Sequence, residues 1–321
     1  MLFFKGPFDA SRKISSALRN RLFIPNFQPR VSPIDRFGSN PGGLRMLAYA
    51  PARLPKGRPL IVVLHGCGQS ATGFAADAGW LAMARRYGVA LVLPEQTYEN
   101  NRGRCFNWFR AEDVKRGSGE AMSIRQMVRT AVKRYGSDSR KIFVVGFSAG
   151  GGMAAALLAA YPNVFAAGGV VSGMPVSCAT SPAGAMLRMT RADKFISRRG
   201  LADGVRAATS FRSRKAWPRL TIWQGNRDKT VDPGNAEALA IQWSEVHGLN
   251  AEATIDECAS GFRRRAWGRA NRPPSVELWT IDDLGHRFPA SGARATSGAM
   301  SGIGAPERMA AFWGIDLPKS K

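Results

Sequence analysis

Residues 142–152 read Ile-Phe-Val-Val-Gly-Phe-Ser-Ala-Gly-Gly-Gly, and no other segment narrows the fold of this chain as much. A β-branched, apolar run ends in Gly146-x-Ser148-x-Gly150, and an Ala-rich stretch with helical spacing follows at once. The order is strand, sharp turn, helix. A serine at the tip of such a turn stands clear of the sheet, and the glycines on either side let strand and helix pass closely. The helix start behind the serine offers unpaired N–H groups and a positive dipole end to a developing oxyanion. A bare G-x-S-x-G recurs by chance; the strand before it and the helix after it make it specific.

The rest of the chain alternates in the same way. Strand-like runs fall near 44–50, 60–65, 89–94, 141–146, 166–171, 219–224 and 276–282. Helix-like runs fall near 72–87, 119–135, 148–161, 234–248 and 305–314. Such alternation predicts a mostly parallel sheet flanked by helices. Residues 1–43, punctuated by Pro25, Pro29, Pro33 and Pro41, read as an N-terminal arm, and 44–321 as one catalytic domain. Segment 174–218 lies between two core strands and carries basic, helix-like stretches; it predicts a small cap or rim. Residues 290–304, rich in Gly, Ala and Ser, read as a loop. No internal repeat or domain-scale linker interrupts the 321 residues.

Charge is the unusual feature of the composition. Lys and Arg number 46 against 23 acidic residues, a formal +23. Basic residues concentrate between Arg188 and Arg219 and again over Phe262–Arg272, with Arg263, Arg264 and Arg265 in a row. Such a surface favours anionic partners, although no motif for specific nucleic-acid binding accompanies it. Arginines 263–265 lie outside every catalytic motif; a solvated basic face is the expected reading, and contact with an anionic surface is the alternative. No apolar run approaches the roughly 20 residues of a membrane helix. The opening Met1-Leu2-Phe3-Phe4 is shorter than a signal-peptide core of about 7–15 residues. Taken as it stands, that start predicts a cytoplasmic protein. Residues 10–24 suggest a basic helix, either packed on the protein or lying on a membrane or granule surface. Cysteines 67, 105, 178 and 258 have no metal-ligand spacing, and sequence leaves open free thiols or distant disulfides.

A serine hydroxyl needs a base within hydrogen-bond reach and a carboxylate to hold that base. The chain has three histidines. His65 precedes the serine, and His247 ends a helical run, where a surface position is expected. His286 follows the strand-like run 276–282, and folds built on a serine elbow order serine, acid and histidine along the chain. His286 is therefore the expected base. The acid should follow the run 219–224, where Asp228 and Asp232 compete. Asp228 is nearer the strand end, whereas Asp232 before Pro233 looks like a turn or helix-start residue. Asp282 and Asp283 are weaker candidates. The second oxyanion donor is expected from Leu64-His65-Gly66-Cys67-Gly68-Gln69, as the N–H of Cys67 acting with that of Ala149.

Together these pieces resemble the poly(3-hydroxybutyrate) depolymerase-type esterases, a family related to feruloyl and acetylxylan esterases. The matching segments are 64–69, Pro94-Glu95-Gln96, Cys105-Phe106-Asn107-Trp108-Phe109, Gly146–Gly151, Ser172-Gly173, Gly225–Val231 and Gly285-His286. The resemblance implies an α/β-hydrolase fold, a triad of Ser148, Asp228 and His286, an oxyanion hole at Cys67, and no metal or organic cofactor. It places Cys67 and Cys105 in two loops near the site, as a disulfide or a reduced pair. Trp108, Phe109, His65 and Gln69 are the expected substrate contacts. The chain departs from the family in placing Arg287-Phe288-Pro289 after the histidine, where a Trp is frequent. Exported relatives also carry a signal, a linker and a substrate-binding domain that this sequence does not display, so an extracellular location is the alternative to the cytoplasmic one. The expected substrate is a hydroxyalkanoate ester, poly(3-hydroxybutyrate) or its oligomers, with a granule surface as partner. Feruloyl or acetyl esters are the alternative, and a non-catalytic basic granule- or nucleic-acid-binding protein is the reading from another class.

Overall fold

The chain divides into Met1–Arg30 and Val31–Lys321, and the fold is that of the second unit. The computed structural model describes residues 30–209, 217–290 and 304–317. The expected helix at 10–24, most of the N-terminal arm, and the bulk of the 290–304 loop lie outside them.

Six parallel strands carry the site: β3 (Leu60–Leu64), β4 (Ala90–Glu95), β5 (Ile142–Phe147), β6 (Ala167–Val171), β7 (Arg219–Gly225) and β10 (Val276–Ile281). Antiparallel strands extend both edges, β1 (Ser32–Pro33) and β2 (Arg45–Tyr49) on one side, β8 (Ile255–Ala259) and β9 (Phe262–Trp267) on the other. The sheet order is β1-β2-β4-β3-β5-β6-β7-β10-β9-β8.

The sheet separates two apolar layers, and strand periodicity divides one strand between them. Leu60, Val62 and Leu64 of β3 face the layer built with α4 (Gly119–Tyr135), α5 (Ala149–Ala160) and α8 (Gly234–Val246). Ile61 and Val63 face the layer built with α1 (Ala71–Asp77), α2 (Trp80–Tyr87) and α9 (Ala305–Trp313). Each of these side chains is at most 1% exposed, and full burial of one contributes about 1.5–3 kcal/mol.

Three expectations need correction. The helix expected over 72–87 is two helices, α1 and α2, because Gly79 takes a left-handed φ of 87° between them. The arm ends earlier than residue 43. Phe37 is buried, the Gly42 N–H donates to Ser123 Oγ and the Asn40 N–H to Gln126 Oε1, which binds this stretch to α4. His247 is not a free surface residue. It is half-buried, with Nε2 3.1 Å from the Pro218 carbonyl, and burial lowers its pKa.

The basic run at 262–272 contains a strand, β9, paired with β8 in a hairpin. Its arginines are matched by acids: Arg263 with Asp256, Arg264 with Glu257 and Glu277, and Arg265 with Glu237. Glu257 stands directly opposite Arg264 in the hairpin register. Opposite charges across a strand pair stabilise the pairing. The three arginines weighed as an anionic contact are therefore already ion-paired within the protein.

The insertion between β6 and β7 holds α6 (Pro182–Thr190) and α7 (Arg198–Ala207). Only α6 behaves as a rim. Leu201, Ala202 and Val205 of α7 are buried, and this helix packs against α8 as part of the crossover. Much of the basic charge here is also paired, Arg188 with Asp193, Arg198 with Glu245, and Arg199 and Arg206 with Asp203.

Candidate active site

Ser148 sits between β5 and α5 at φ 56°, ψ −120°, a conformation that costs an ordinary residue roughly 1–3 kcal/mol. The turn is held by backbone bonds from Ser148 N–H to Val171 C=O and from Gly152 N–H to Ser148 C=O. A Cβ on Gly146 would lie 1.9 Å from the Gly150 carbonyl oxygen, and one on Gly150 would lie 2.5 Å from the His65 carbonyl oxygen. Glycine at both positions is what lets the helix start touch β5 and β3.

His286 arrives from the loop after β10, and Asp228 from the loop after β7. His286 Nε2 is 3.0 Å from Ser148 Oγ, and Nδ1 is 2.8 Å from Asp228 Oδ2. The Asp228 side chain is fully buried. Its Oδ1 accepts the N–H groups of Thr230 and Val231, and Oδ2 also accepts Gln224 Nε2. Burial would raise its pKa, but the bonds from His286, Val231 and Thr230 outweigh burial and hold the carboxyl below its usual range. The carboxylate therefore fixes Nδ1–H as a donor, which leaves the Nε2 lone pair to accept from the serine hydroxyl. Folding stability from this depressed group is present above the ordinary carboxyl pKa and lost as pH falls through the lower folded value.

Asp232, the competing acid, accepts Gly234 N–H at the start of α8 and Ala192 N–H from the insertion. With the Asp232 N–H bonded to the Met189 carbonyl, it docks α6 at the rim of the site. Asp282 bonds Asn226, and Asp283 pairs with Arg227. None of the three is bonded to His286 among the described residues.

The oxyanion donors are set by a support the sequence did not reveal. His65 is fully buried; its Nδ1 lies 2.7 Å from the Gly66 carbonyl oxygen, and its Nε2 accepts the Gln96 N–H. Burial lowers its pKa, so the neutral ring donates through Nδ1. A peptide group points its C=O and N–H to opposite sides. Pinning the Gly66 carbonyl to His65 turns the Cys67 N–H of the same peptide the other way. The N–H groups of Cys67 and Ala149 donate to no acceptor among the described residues. His65 is thus a buried support and not a substrate contact. Gln69 is likewise engaged, accepting the Gly66 N–H through Oε1.

Behind this loop stands Glu120, at the start of α4. Its carboxylate accepts from Gln96 Nε2, Asn100 Nδ2, Asn107 Nδ2 and the Asn107 N–H. Burial first, and then the Asp113 carboxylate, push its pKa up to about 8, against donors that favour the charged form. Through Gln96 it steadies His65. Through Asn107 it steadies the loop of Cys105, which is disulfide-bonded to Cys67. That pairing resolves the choice left open for these two cysteines, while Cys178 and Cys258 are free thiols. Bonds from Gly68 N–H to the Gly103 carbonyl and from Arg104 to the Gly68 carbonyl add to the staple. Glu120→Gln puts an amide against these donors and should lower kcat by roughly 10- to 100-fold, at most the loss of one oxyanion donor. KM for a soluble nitrophenyl ester should stay constant. Unchanged kcat in steady-state assays would show that the loop holds itself.

Trp108 is half-buried, lies against Gly152 of α5 and meets Phe109 edge-on at 5.6 Å. Phe147 lies 4.8 Å from the His286 ring, and Phe288 stands edge-on to Phe74 and Phe147. Phe147, Phe288 and Phe74 form an apolar wall beside the base that the sequence reading did not assign. Among the described residues, no group of three or more metal-ligating side chains is placed to hold an ion.

Serine, carboxylate and imidazole, in that chain order at the C-terminal ends of parallel strands, define a serine hydrolase of the α/β-hydrolase class. The family model for esterase PHB depolymerase matches residues 46–269, and the chain belongs to that family. It is 36% identical over 261 residues to poly(3-hydroxyalkanoate) depolymerase C of Paucimonas lemoignei, covering 81% of this chain and 62% of that relative. It is 29% identical over 271 residues to feruloyl esterase B of Talaromyces stipitatus, covering 82% and 74%. The solved acetyl xylan esterase of Aspergillus awamori shares the fold with a TM-score of 0.78 at 24% identity, over 89% of this chain and 100% of that one.

Proposed function

We propose that this protein is a serine esterase that hydrolyses hydroxyalkanoate esters, poly(3-hydroxybutyrate) or its oligomers, through an acyl-enzyme on Ser148. The observation that carries the chemistry is the aligned pair of contacts, Oγ to Nε2 at 3.0 Å and Nδ1 to Oδ2 at 2.8 Å. Ser148 Oγ attacks the ester carbonyl as its proton passes to His286 Nε2. Asp228 stabilises the imidazolium, and the N–H groups of Cys67 and Ala149 receive the oxyanion. Collapse breaks the ester C–O bond, and His286 returns the proton to the leaving alkoxide. Water, deprotonated by the same imidazole, then frees the acid and restores Ser148.

Two observations favour a polyester substrate. The relative at 36% identity is named a poly(3-hydroxyalkanoate) depolymerase. The insertion that docks at the rim exposes Met186, Leu187, Phe195 and Ile196, with Phe195 95% exposed. Exposed apolar side chains of this kind suit contact with an apolar solid. Trp108 and Phe109 are the proposed grip on the acyl chain. Feruloyl and acetyl esters form the second reading, supported by the names of the other relatives. The Cys67–Cys105 disulfide supports work in an oxidising compartment over the cytoplasm.

Hydrolysis of amorphous poly(3-hydroxybutyrate), a nitrophenyl ester and methyl ferulate separates these readings. The expected result is release of 3-hydroxybutyrate from polymer with little turnover of ferulate. Phe195→Ser should slow polymer hydrolysis several-fold and leave the nitrophenyl ester unaffected. Faster turnover of ferulate than of any hydroxyalkanoate would favour the second reading. A fluorophosphonate that fails to label the folded protein would overturn the enzyme reading in favour of a binding protein.

A further inference from the structure

Away from Arg263, Arg264 and Arg265 and the acids that neutralise them, several other arginines line one place. A hollow of about 650 Å³ opens at the N-terminal ends of β5, β6 and β7. Its lining includes Arg125 and Arg129 of α4, Arg140, Arg219, Phe165 and Trp217. A second hollow of about 480 Å³ shares Trp217 and Arg219 and adds Arg269, Arg272 and His247. No carboxylate lines either one among the described residues.

The arginines differ in how they are held. Arg140 is paired with Asp138, and Arg219 donates to the Pro274 carbonyl and lies over the Phe312 ring. Arg125 and Arg129 have no hydrogen-bond or ion-pair partner among the described residues. Burial lowers the pKa of Arg125, and the charges of Arg129 and Arg116 lower it further, with Tyr161 opposing. Burial does the same at Arg219, opposed by Glu277. A half-buried cation beside like charges is held at a cost that an anion would remove. Guanidinium groups that line one hollow beside apolar walls are suited to bidentate contact with planar or tetrahedral oxyanions.

We propose that this hollow is an anion-binding site that takes a phosphate or carboxylate group. It lies at the opposite ends of the strands from Ser148, roughly 20 Å away along the six residues of β5. An anion held there leaves the esterase site open. The proposal is independent of the ester substrate and of the triad.

The test uses the full chain, with Arg129→Gln and the double variant Arg125→Gln/Arg129→Gln, and Arg263→Gln as control. Arg129 is exposed, so its variant keeps the proposal testable should the double variant fold poorly. Thermal melts compare phosphate with chloride at equal ionic strength and pH. Phosphate should raise Tm by roughly 3 °C in the wild type and the control, partly in Arg129→Gln, and not in the double variant. Sedimentation with phosphatidylcholine vesicles, with and without phosphatidylglycerol, identifies the source of the anion. Binding to anionic vesicles that is lost in the variants assigns the site to a lipid headgroup; a phosphate shift without vesicle binding assigns it to a free anion. Absence of both responses, or equal responses in wild type and variants, would overturn the proposal.

Discussion

Ser148→Ala is expected to leave a folded protein whose ester turnover is lower by roughly 10⁶. The substitution keeps a Cβ and hence the strained backbone at φ 56°. Both backbone bonds that hold the elbow are unaffected, since they use the N–H and C=O of residue 148. What disappears is the one oxygen bonded to His286 Nε2. The oxyanion donors remain, so residual activity comes from them and from binding alone. Initial rates on a nitrophenyl ester give the loss, and circular dichroism with a thermal melt establishes that the fold persists. Near-normal turnover in that folded variant would falsify the assignment of the nucleophile.

Asp228→Asn should cost roughly 10⁴ in turnover, and Asp232→Asn only a few-fold. An amide at 228 can still accept from Thr230 and Val231 through its oxygen. Its –NH₂ then faces His286 Nδ1, which must become an acceptor. The ring proton moves to Nε2 and points at Ser148, so the base can no longer take the serine proton. The amide also cannot stabilise an imidazolium. Asp232 holds Gly234 and Ala192 and has no bond to the base, so its loss acts through the docking of α6. Kinetics of the two variants side by side decide the matter: a larger loss in Asp232→Asn would mean that the acid has been misassigned.

The local signals were strong where one segment carried its own explanation. The run 142–152 contains strand, elbow and helix start in consecutive residues, so periodicity and glycine placement were sufficient. Elimination among three histidines and chain order led to His286, and proximity to a strand end led to Asp228. Helix α4 falls on the run expected near 119–135, because its apolar spacing is regular and Gly136 closes it in a left-handed conformation.

Other features depended on partners distant in the chain. The β8–β9 hairpin is absent from the expected strands, because its exposed strand face is held by ion pairs and not by apolar contacts. Arg265 meets Glu237 across 28 residues, so nothing local distinguishes a paired arginine from a free one. His65 has the sequence position of a substrate contact, but burial and a bond to the neighbouring carbonyl make it a support. Glu120 had no signal at all; it is one acid at a helix start until the loop from 96 to 107 folds over it. The sequence by itself determined which residues could do the chemistry, through residue type, order and strand-end position. Only the tertiary structure decided which charges are neutralised, which cysteines are joined and what orients the Cys67 N–H. Those depend on burial and on distances between segments, quantities that exist only once the chain has closed its long-range contacts.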